Sequence, residues 1–373
     1  MSERPPLAAV PQAQRDAILE GPRDTETHAQ LLASLPFASA LDIGSFADLA
    51  FPRSEPQASG EAHEAAFPRS EPTASGEIHK ARVVAWNAER CKHLDESAAF
   101  LAAAGADVVL LTELDWGMAR SQQLHAAREL ASRLGMSFAY GVEFLELDLG
   151  GERERSDFAG QRNCVGYHGN AILARGALLR PQLVRLETRG DWFDGARGEA
   201  RVGGRCAVLA QLMVGGRDVI LAAVHLDSHG SPSSRADEMH TLLDAIDARD
   251  RSAPVVIGGD LNAFSLALAD LADRERVEAA LRDDPLRWSH PVPHEPLFTV
   301  AAERGYTWSQ SNVLGESTLR HAAETGSVRG KLKLDWFLCR GVAASAARVV
   351  DAVGPATGAM LSDHEAIAVS IRI

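Results

Sequence analysis

From Ala81 onward, short β-branched apolar runs alternate with longer amphipathic stretches and clusters of turn residues. Val83 to Trp86, Val108 to Leu111, Val219 to Val224 and Val255 to Ile257 read as buried strands, being too short for helices and lacking polar alternation. Ser97 to Ala104, Ala119 to Leu134 and Ser233 to Ala248 read as amphipathic helices. Thr307-Trp308, Leu334 to Leu338 and Ala366 to Ile373 read as later strands. Strands alternate with helices early in each half of this region and dominate late in each, with the seam expected between Leu178 and Gly204. The pattern predicts a four-layer α/β sandwich: two packed, mainly antiparallel sheets flanked by helices.

The chain before Ala81 is different. Gln12 to Glu20 and Thr25 to Ser34 read as two short helices, the second capped by Asp24 or Thr25. Whether this extension packs on the main domain is open at this level. It is followed by a tandem repeat: AFPRSEPQASGEAHEA (50–65) and AFPRSEPTASGEIHKA (66–81) differ at three of sixteen positions. Two copies of a Pro-, Ser-, Gly- and Glu-rich unit cannot enclose a solenoid core, so the repeat reads as a linker. The expected organisation is an extension (1–49), a repeat linker (50–81) and a main domain (82–373).

Composition narrows the function. A chain of 373 residues, 46% hydrophobic, has enough apolar material for one large α/β domain with an extension, or for two small domains. Its formal charge of −13 is not confined to a tail, since residues 1–81 carry 6 basic and 12 acidic side chains and the remainder is also acidic. Such a field does not favour nucleic acid as a partner, because unspecific binding of a polyanion needs clustered Lys and Arg. The four cysteines, Cys91, Cys164, Cys206 and Cys339, are widely spaced and sit in or beside apolar stretches, which predicts buried, reduced thiols. No apolar run reaches membrane-spanning length, and the first ten residues lack a signal-peptide core, so a cytoplasmic address is expected.

The chemistry lies at the strand ends. Polar residues follow the apolar runs in order: Trp86-Asn87, Thr112-Glu113, Gly169-Asn170-Ala171-Ile172-Leu173, His225-Leu226-Asp227, Gly258-Gly259-Asp260-Leu261-Asn262, Leu334-Asp335-Trp336-Phe337 and Ser362-Asp363-His364. Any one of them alone reads as turn chemistry. Together they supply complementary groups: carboxylates for a hard cation, amides for phosphate oxygens and histidines for developing charge.

This ordered series resembles the endonuclease/exonuclease/phosphatase superfamily, which includes deoxyribonuclease-I-like enzymes, abasic-site endonucleases, bacterial sphingomyelinases and inositol-polyphosphate 5-phosphatases. GGDLN and SDH carry most of the resemblance, which spans roughly residues 80–373. It implies a Mg²⁺-dependent phosphoesterase, with Mn²⁺ as a substitute, acting by in-line attack of water. It also implies roles: Glu113, Asn87 and Asp363 on the metal side, Asp260 orienting or deprotonating water, and Asn262 donating to a phosphate oxygen. Asn262, two positions beyond Asp260, is expected to share its side of an extended segment. His364 is similar to the phosphate-contacting histidine and Asp335 to its carboxylate partner; His225 matches the second histidine, and Asn170 a substrate-side asparagine. Two further positions stay open between roles. Arg120 reads as a clamp for a second anionic group or as a helix-surface arginine, and Trp308 as a stacking surface or as core.

No basic-aromatic loop of the abasic-site type and no long hydrophobic hairpin of the sphingomyelinase type is present. The expected substrate is therefore a small-molecule or headgroup phosphoester, diester or monoester, with a DNA or RNA nuclease as the nearest alternative. A catalytically inactive binding module would have lost the metal-side and water-orienting positions, and Glu113, Asp260, Asn262, Asp335, Asp363 and His364 are all in place.

Overall fold

The computed structural model describes residues 7–47, 79–267, 270, 273–320 and 332–373. Along the chain come α1 (Gln12–Glu20), α2 (Thr25–Ser34), β1 (Leu41–Ser45), β2 (Ala81–Arg90), α3 (Leu94–Ala103), β3 (Val108–Trp116) and α4 (Ala126–Leu134). There follow β4 (Ser137–Glu146), α5 (Glu152–Asp157), β5 (Tyr167–Ala174), β6 (Leu179–Arg185), β7 (Arg201–Gly203), β8 (Cys206–Val214) and β9 (Arg217–His225). The last elements are α6 (Pro232–Asp250), β10 (Val255–Asp260), α7 (Arg274–Asp283), α8 (Pro296–Glu303), β11 (Asp335–Arg340), β12 (Ala343–Val350) and β13 (Ala366–Arg372).

Two sheets result. One runs β1-β4-β5-β3-β2-β13-β12, with β7 also paired to β4; the other runs β11-β10-β9-β8-β6. Among the described residues only the β2–β3 and β9–β10 pairings are parallel, so the sheets are mainly antiparallel. Period-two alternation divides each strand between two cores. Val83, Ala85, Val108 and Leu110 join Leu221, Ala223 and Val256 between the sheets. Val84, Trp86, Val109 and Leu111 turn outward and pack with Phe100 and Leu101 of α3 and Leu130 of α4. On the second sheet Ile220, Ala222 and Ile257 turn outward against Met239 and Leu243 of α6 and Phe298 of α8. Three apolar cores between four layers make the sandwich, and burying each Val, Leu or Ile contributes about 1.5–3 kcal/mol. Gly258 lets the sheets close on each other, since a Cβ there would lie 2.7 Å from Phe337 and 2.8 Å from Leu110.

Several details differ from the sequence pattern. The second sheet begins with β6 at Leu179, as the seam requires, but β7, β12 and β13 return to the first sheet, so the halves are not sequential. The stretch Ala119 to Leu134 is not one helix: a short 3₁₀ turn ends where Gln122 and Gln123 both take φ +61°, and α4 starts at Ala126 with His125 as its cap. Thr307 makes a single bridge to Cys339, and no strand forms at Trp308. Strands β1, β4, β6, β7, β8 and β12 carry no run that the pattern singled out.

The extension, whose packing the sequence left open, carries two helices and a strand. α1 and α2 have the bounds read from sequence, Thr27 N donates to Asp24 Oδ1 at 2.8 Å as its cap, and β1 pairs with β4. Most of the tandem repeat lies outside the described residues. All four cysteines are free; Cys91, Cys206 and Cys339 are buried, but Cys164 is exposed, because it falls in the loop before β5 rather than on a strand. No described helix is long and apolar enough to cross a membrane.

Candidate active site

The carboxyl ends of the two parallel pairs converge, which is where α/β sheets present ligand groups. On the second sheet, His225, Asp260 and Asp335 stand in register across β9, β10 and β11. Residues opposite one another share a face, so the three side chains meet without any loop to position them. Gly259 precedes Asp260 with φ +148°, and a Cβ there would strike the Val224 carbonyl oxygen at 2.0 Å. The second glycine of GGDLN is thus required by close strand approach.

On the first sheet, the β2–β3 pairing shifts register between Asn87 and Arg90, and the β3–β5 pairing shifts between Leu111 and Leu114. Such bulges re-aim side chains. Glu113 sits inside this irregularity with φ +57°, a left-handed conformation uncommon for glutamate and typical of functional positions. The Asn87 amide then spans the sheets: Nδ2 donates to Glu113 Oε1 at 3.0 Å and to Asp260 Oδ2 at 3.1 Å.

His364 comes from the turn before β13. Trp86 Nε1 donates to its carbonyl oxygen at 3.1 Å, and Ser362 Oγ accepts from its backbone N at 3.0 Å while donating to Asn87 O at 2.7 Å. Its ring Nδ1 is 2.8 Å from Asp335 Oδ2, and Nε2 is 3.7 Å from Asp260 Oδ2. Burial opposes charge on this ring, but Asp335 and Asp260 override it and hold His364 protonated well above its ordinary range. His225 is held differently: Arg205 Nη1 lies 3.0 Å from its Nδ1 and 3.2 Å from its Nε2, with Glu143 Oε2 at 3.4 Å from Nδ1 and Asp260 Oδ2 at 3.7 Å from Nε2. Burial opposes ionisation of Glu143 too, yet the adjacent Arg205 guanidinium, with His225 and His168 beyond it, brings its carboxyl down to about 2.

A cavity of about 230 Å³ opens over these groups, lined by Glu113, His225, Asp260, Asn262 and His364. Asn262 reaches it differently from the extended-segment expectation. The strand ends at Asp260, Asn262 has φ +47°, its backbone N donates to Asp260 Oδ1 at 2.9 Å, and Nδ2 donates to Leu226 O at 2.9 Å. The turn holds Asp260 in place as much as it presents an amide. Asp363 is exposed between buried Ser362 and His364 and lies outside the cavity lining. Asn170 is fully buried beneath the site, its Nδ2 donating to Cys206 O at 3.0 Å.

Neither substrate-side possibility at Arg120 or Trp308 reaches the cavity. Arg120 is buried, neither a surface residue nor a clamp. Its Nε and Nη2 donate to the two Asp115 oxygens at 2.8 and 3.0 Å, and Glu146, Glu154 and Glu199 surround it at 3.4–3.7 Å. Its Nη1 makes no hydrogen bond and has only the Glu154 and Glu199 carboxylates at 3.5 and 3.7 Å. Trp308 packs on Phe298 of α8 at 5.1 Å between centroids, within the second outer core.

The sequence pattern missed another wall of the cavity: Arg90, Trp192, Glu199, Arg201, Arg205 and Ser228. Arg90 Nη1 lies 3.6 Å from Glu113 Oε2. Burial works against the ionised form of Glu113, but Arg90, with His225, His168 and Asn87, holds its carboxyl well below the usual range. Arg205 is paired to Glu143 and donates to Ser228 Oγ at 3.1 Å. One signal was available: Glu143 interrupts the otherwise apolar YGVEFL, and a buried acid of that kind needs a partner.

The Endonuclease/Exonuclease/phosphatase family model matches residues 84–364, well over half of the chain. The chain belongs to this family. Solved members of the Endonuclease/Exonuclease/phosphatase fold are similar throughout the matched region, although identity is low. A protein of that description from Beutenbergia cavernae is 21% identical, covering 79% of this chain and 72% of its own, with a TM-score of 0.52. The human Nocturnin catalytic domain with bound sulfate is 16% identical over 78% of this chain and 93% of its own, TM-score 0.50. A family protein from Leptotrichia buccalis is 12% identical over 79% and 100%, TM-score 0.50. At such identities the likeness establishes the fold. No curated protein sequence matches.

Family members generally use divalent metals, and the donors here fit one. Glu113 offers carboxylate oxygen at the cavity, a hard donor suited to Mg²⁺, while Asn87 turns its amide nitrogen to Glu113 and its Oδ1 accepts from Glu89 N. A second grouping, Asp260, Asp335 and His364, brings its potential ligand atoms within 4.8 Å of one another. We read this one as a proton-holding assembly instead. His364 Nδ1 is committed to Asp335 at 2.8 Å, which leaves Nε2 as the ring's free nitrogen in this group.

Proposed function

We propose that this chain is a divalent-cation-dependent phosphoesterase that hydrolyses a phosphodiester or phosphomonoester of a small molecule or headgroup. The observation that carries the reading is Asn87 Nδ2, which joins Glu113 and Asp260 across the two sheets beside the His364–Asp335 pair. This sets a cation-seeking carboxylate, a water-orienting carboxylate and a charged donor around one cavity.

Bound at Glu113, with Asn87 and Asp363 at its side, Mg²⁺ or Mn²⁺ would neutralise phosphate charge and polarise a phosphoryl oxygen. The chain's own groups do the rest. Asp260 is held by Asn87 Nδ2 and the Asn262 backbone N–H, so one of its oxygens is oriented to accept the proton of an attacking water. Water oxygen forms the new bond to phosphorus as the ester P–O bond breaks, the water's proton passes to Asp260, and the leaving oxygen takes a proton from solvent. His364, charged and fixed by Asp335, donates to a non-bridging oxygen and stabilises charge as it develops. His225 provides a second donor on the opposite side of Asp260. Charge supports a compact substrate: the guanidiniums lining the cavity are each engaged by a carboxylate, which leaves little free positive field for a long polyanion.

The test is a screen of purified protein with Mg²⁺ or Mn²⁺ against bis-p-nitrophenyl phosphate, supercoiled and abasic DNA, RNA, sphingomyelin and inositol phosphates. Hydrolysis of a small ester that Asp260→Ala abolishes supports the reading. No turnover of any ester, or full activity in Asp260→Ala, sinks it. Preferential cleavage of DNA or RNA would transfer the assignment to a nuclease.

A further inference from the structure

Residues 7–47 precede the family match, yet they grip one wall of the cavity. That wall is carried by the segment between β6 and β8, which brings Trp192, Glu199, Arg201 and Arg205 to the site. α2 lays His28 against both ends of this segment. The ring is fully buried, and its Nε2 is 2.9 Å from the carbonyl oxygen of Gly203 and 3.1 Å from its nitrogen. At the other end Gly190 has φ +79°, and a Cβ there would meet the His28 ring at 2.7 Å. Phe193, next to Trp192, meets the ring at 5.4 Å between centroids. A second tie lies close by. Arg185 donates to Phe37 O and Ala38 O at 3.1 and 3.0 Å, and to Gly204 O at 3.2 Å.

We infer that His28 is a positioning residue, clamping both ends of the 190–203 segment so that Trp192, Arg201 and Arg205 stand as the substrate-facing wall of the cavity. The physical reason is that the segment has little regular structure of its own. Gly190 leaves room for the ring, and the backbone of Gly203 pairs its buried Nε2, which would be costly to leave unpaired. Arg201 and Arg205 lie 5.0 and 5.6 Å from the Trp192 ring, so a displacement of Trp192 is passed to both. Asp260 and Asp335 sit on strands that His28 does not touch. Loosening the clamp therefore weakens ground-state binding more than the chemical step. The substrate in question rests on the phosphoesterase reading; the clamp itself does not.

The experiment uses the full chain with His28→Ala, His28→Gln and Gly190→Ala. It reads KM and kcat on an ester from the screen, calorimetric binding of inorganic phosphate, and acrylamide quenching of Trp192, taken as the difference from Trp192→Phe. His28→Ala and Gly190→Ala are expected to raise KM and the phosphate Kd about tenfold, keep kcat within about twofold and increase quenching. His28→Gln, which retains a side-chain amide at the Gly203 end, restores most of each. Unchanged KM, Kd and quenching, even with a lowered Tm, would overturn the clamp and leave His28 a stability residue. If His28→Ala does not fold, Gly190→Ala, which crowds the ring from the other side, carries the test. If the wild type hydrolyses nothing, the phosphoesterase reading falls. The quenching then decides the clamp alone, and unaltered quenching overturns it.

Discussion

Asn87 Nδ2 donates to Asp260 Oδ2 at 3.1 Å, joining residues that lie 173 positions apart and in different sheets. The same nitrogen donates to Glu113 Oε1 at 3.0 Å, so one neutral amide separates two carboxylates that would otherwise face each other unscreened. Asn87→Ala is expected to lower kcat about 100-fold with a small change in KM, the scale of losing one preorganised donor. Asn87→Asp is expected to be worse, because a third carboxylate replaces the donor. Steady-state kinetics on the ester found by screening check this; a kcat within about threefold of wild type would remove Asn87 from the machinery.

The His364–Asp335 pair predicts the pH behaviour. The ring's pKa is raised in the fold, so its contribution to stability is complete below its unfolded value of about 6.5 and is lost as pH rises through the folded value. Activity that needs the charged ring should accordingly show its basic limb above the ordinary histidine range. Asp335→Asn removes the main attraction and should move that limb down. Rate profiles and an NMR titration of the ring test the sign; a limb that stays put in Asp335→Asn contradicts the pairing.

Arg120 should behave as a structural residue. Deleting it takes the bidentate partner from buried Asp115 and leaves that carboxylate to His168, while Glu146 and Glu199 keep Arg201 and Glu154 keeps Arg90. Arg120→Ala is expected to cost about 3–5 kcal/mol, the usual loss on breaking a buried ion pair. Arg120→Lys should recover only part, because a lysine cannot satisfy both Asp115 oxygens in parallel. Denaturant unfolding measures the cost. A normal midpoint with a raised KM would instead return Arg120 to the substrate.

Chelation provides the metal test. Dialysis against EDTA should abolish hydrolysis, and Mg²⁺ or Mn²⁺ should restore it. Glu113→Gln, which keeps the shape but removes the charge, should weaken cation binding about 10–100-fold by calorimetry. Unchanged affinity in that variant would place the cation elsewhere, with the Asp260, Asp335 and His364 grouping the next position to probe.

Much of the fold and of the reacting site was legible in the order of residues, because both are written locally. A buried strand is a short apolar run, and the polar residue ending it is placed by the strand itself. Asp260 and Asp335 needed only β10 and β11 to pair in register in order to meet. The helices of the extension were equally legible from their periodicity and the Asp24 cap.

What tertiary structure alone decided were the partners of long polar side chains and the course of irregular segments. Nothing near Arg120 in sequence distinguishes a clamp from a strut, because three of its four carboxylate partners come from β4 and the segments beyond it. Asn262 left the extended path through a backbone turn that period-two reasoning does not register. Segment 186–205 has no periodicity to read, so the cavity wall of Trp192, Arg201 and Arg205, and the His28 that meets it from the far end of the chain, became visible only once folded. Local pattern sets which residues end a strand. Which distant charges and rings surround them depends on packing across layers, where burial makes every unpaired polar group costly.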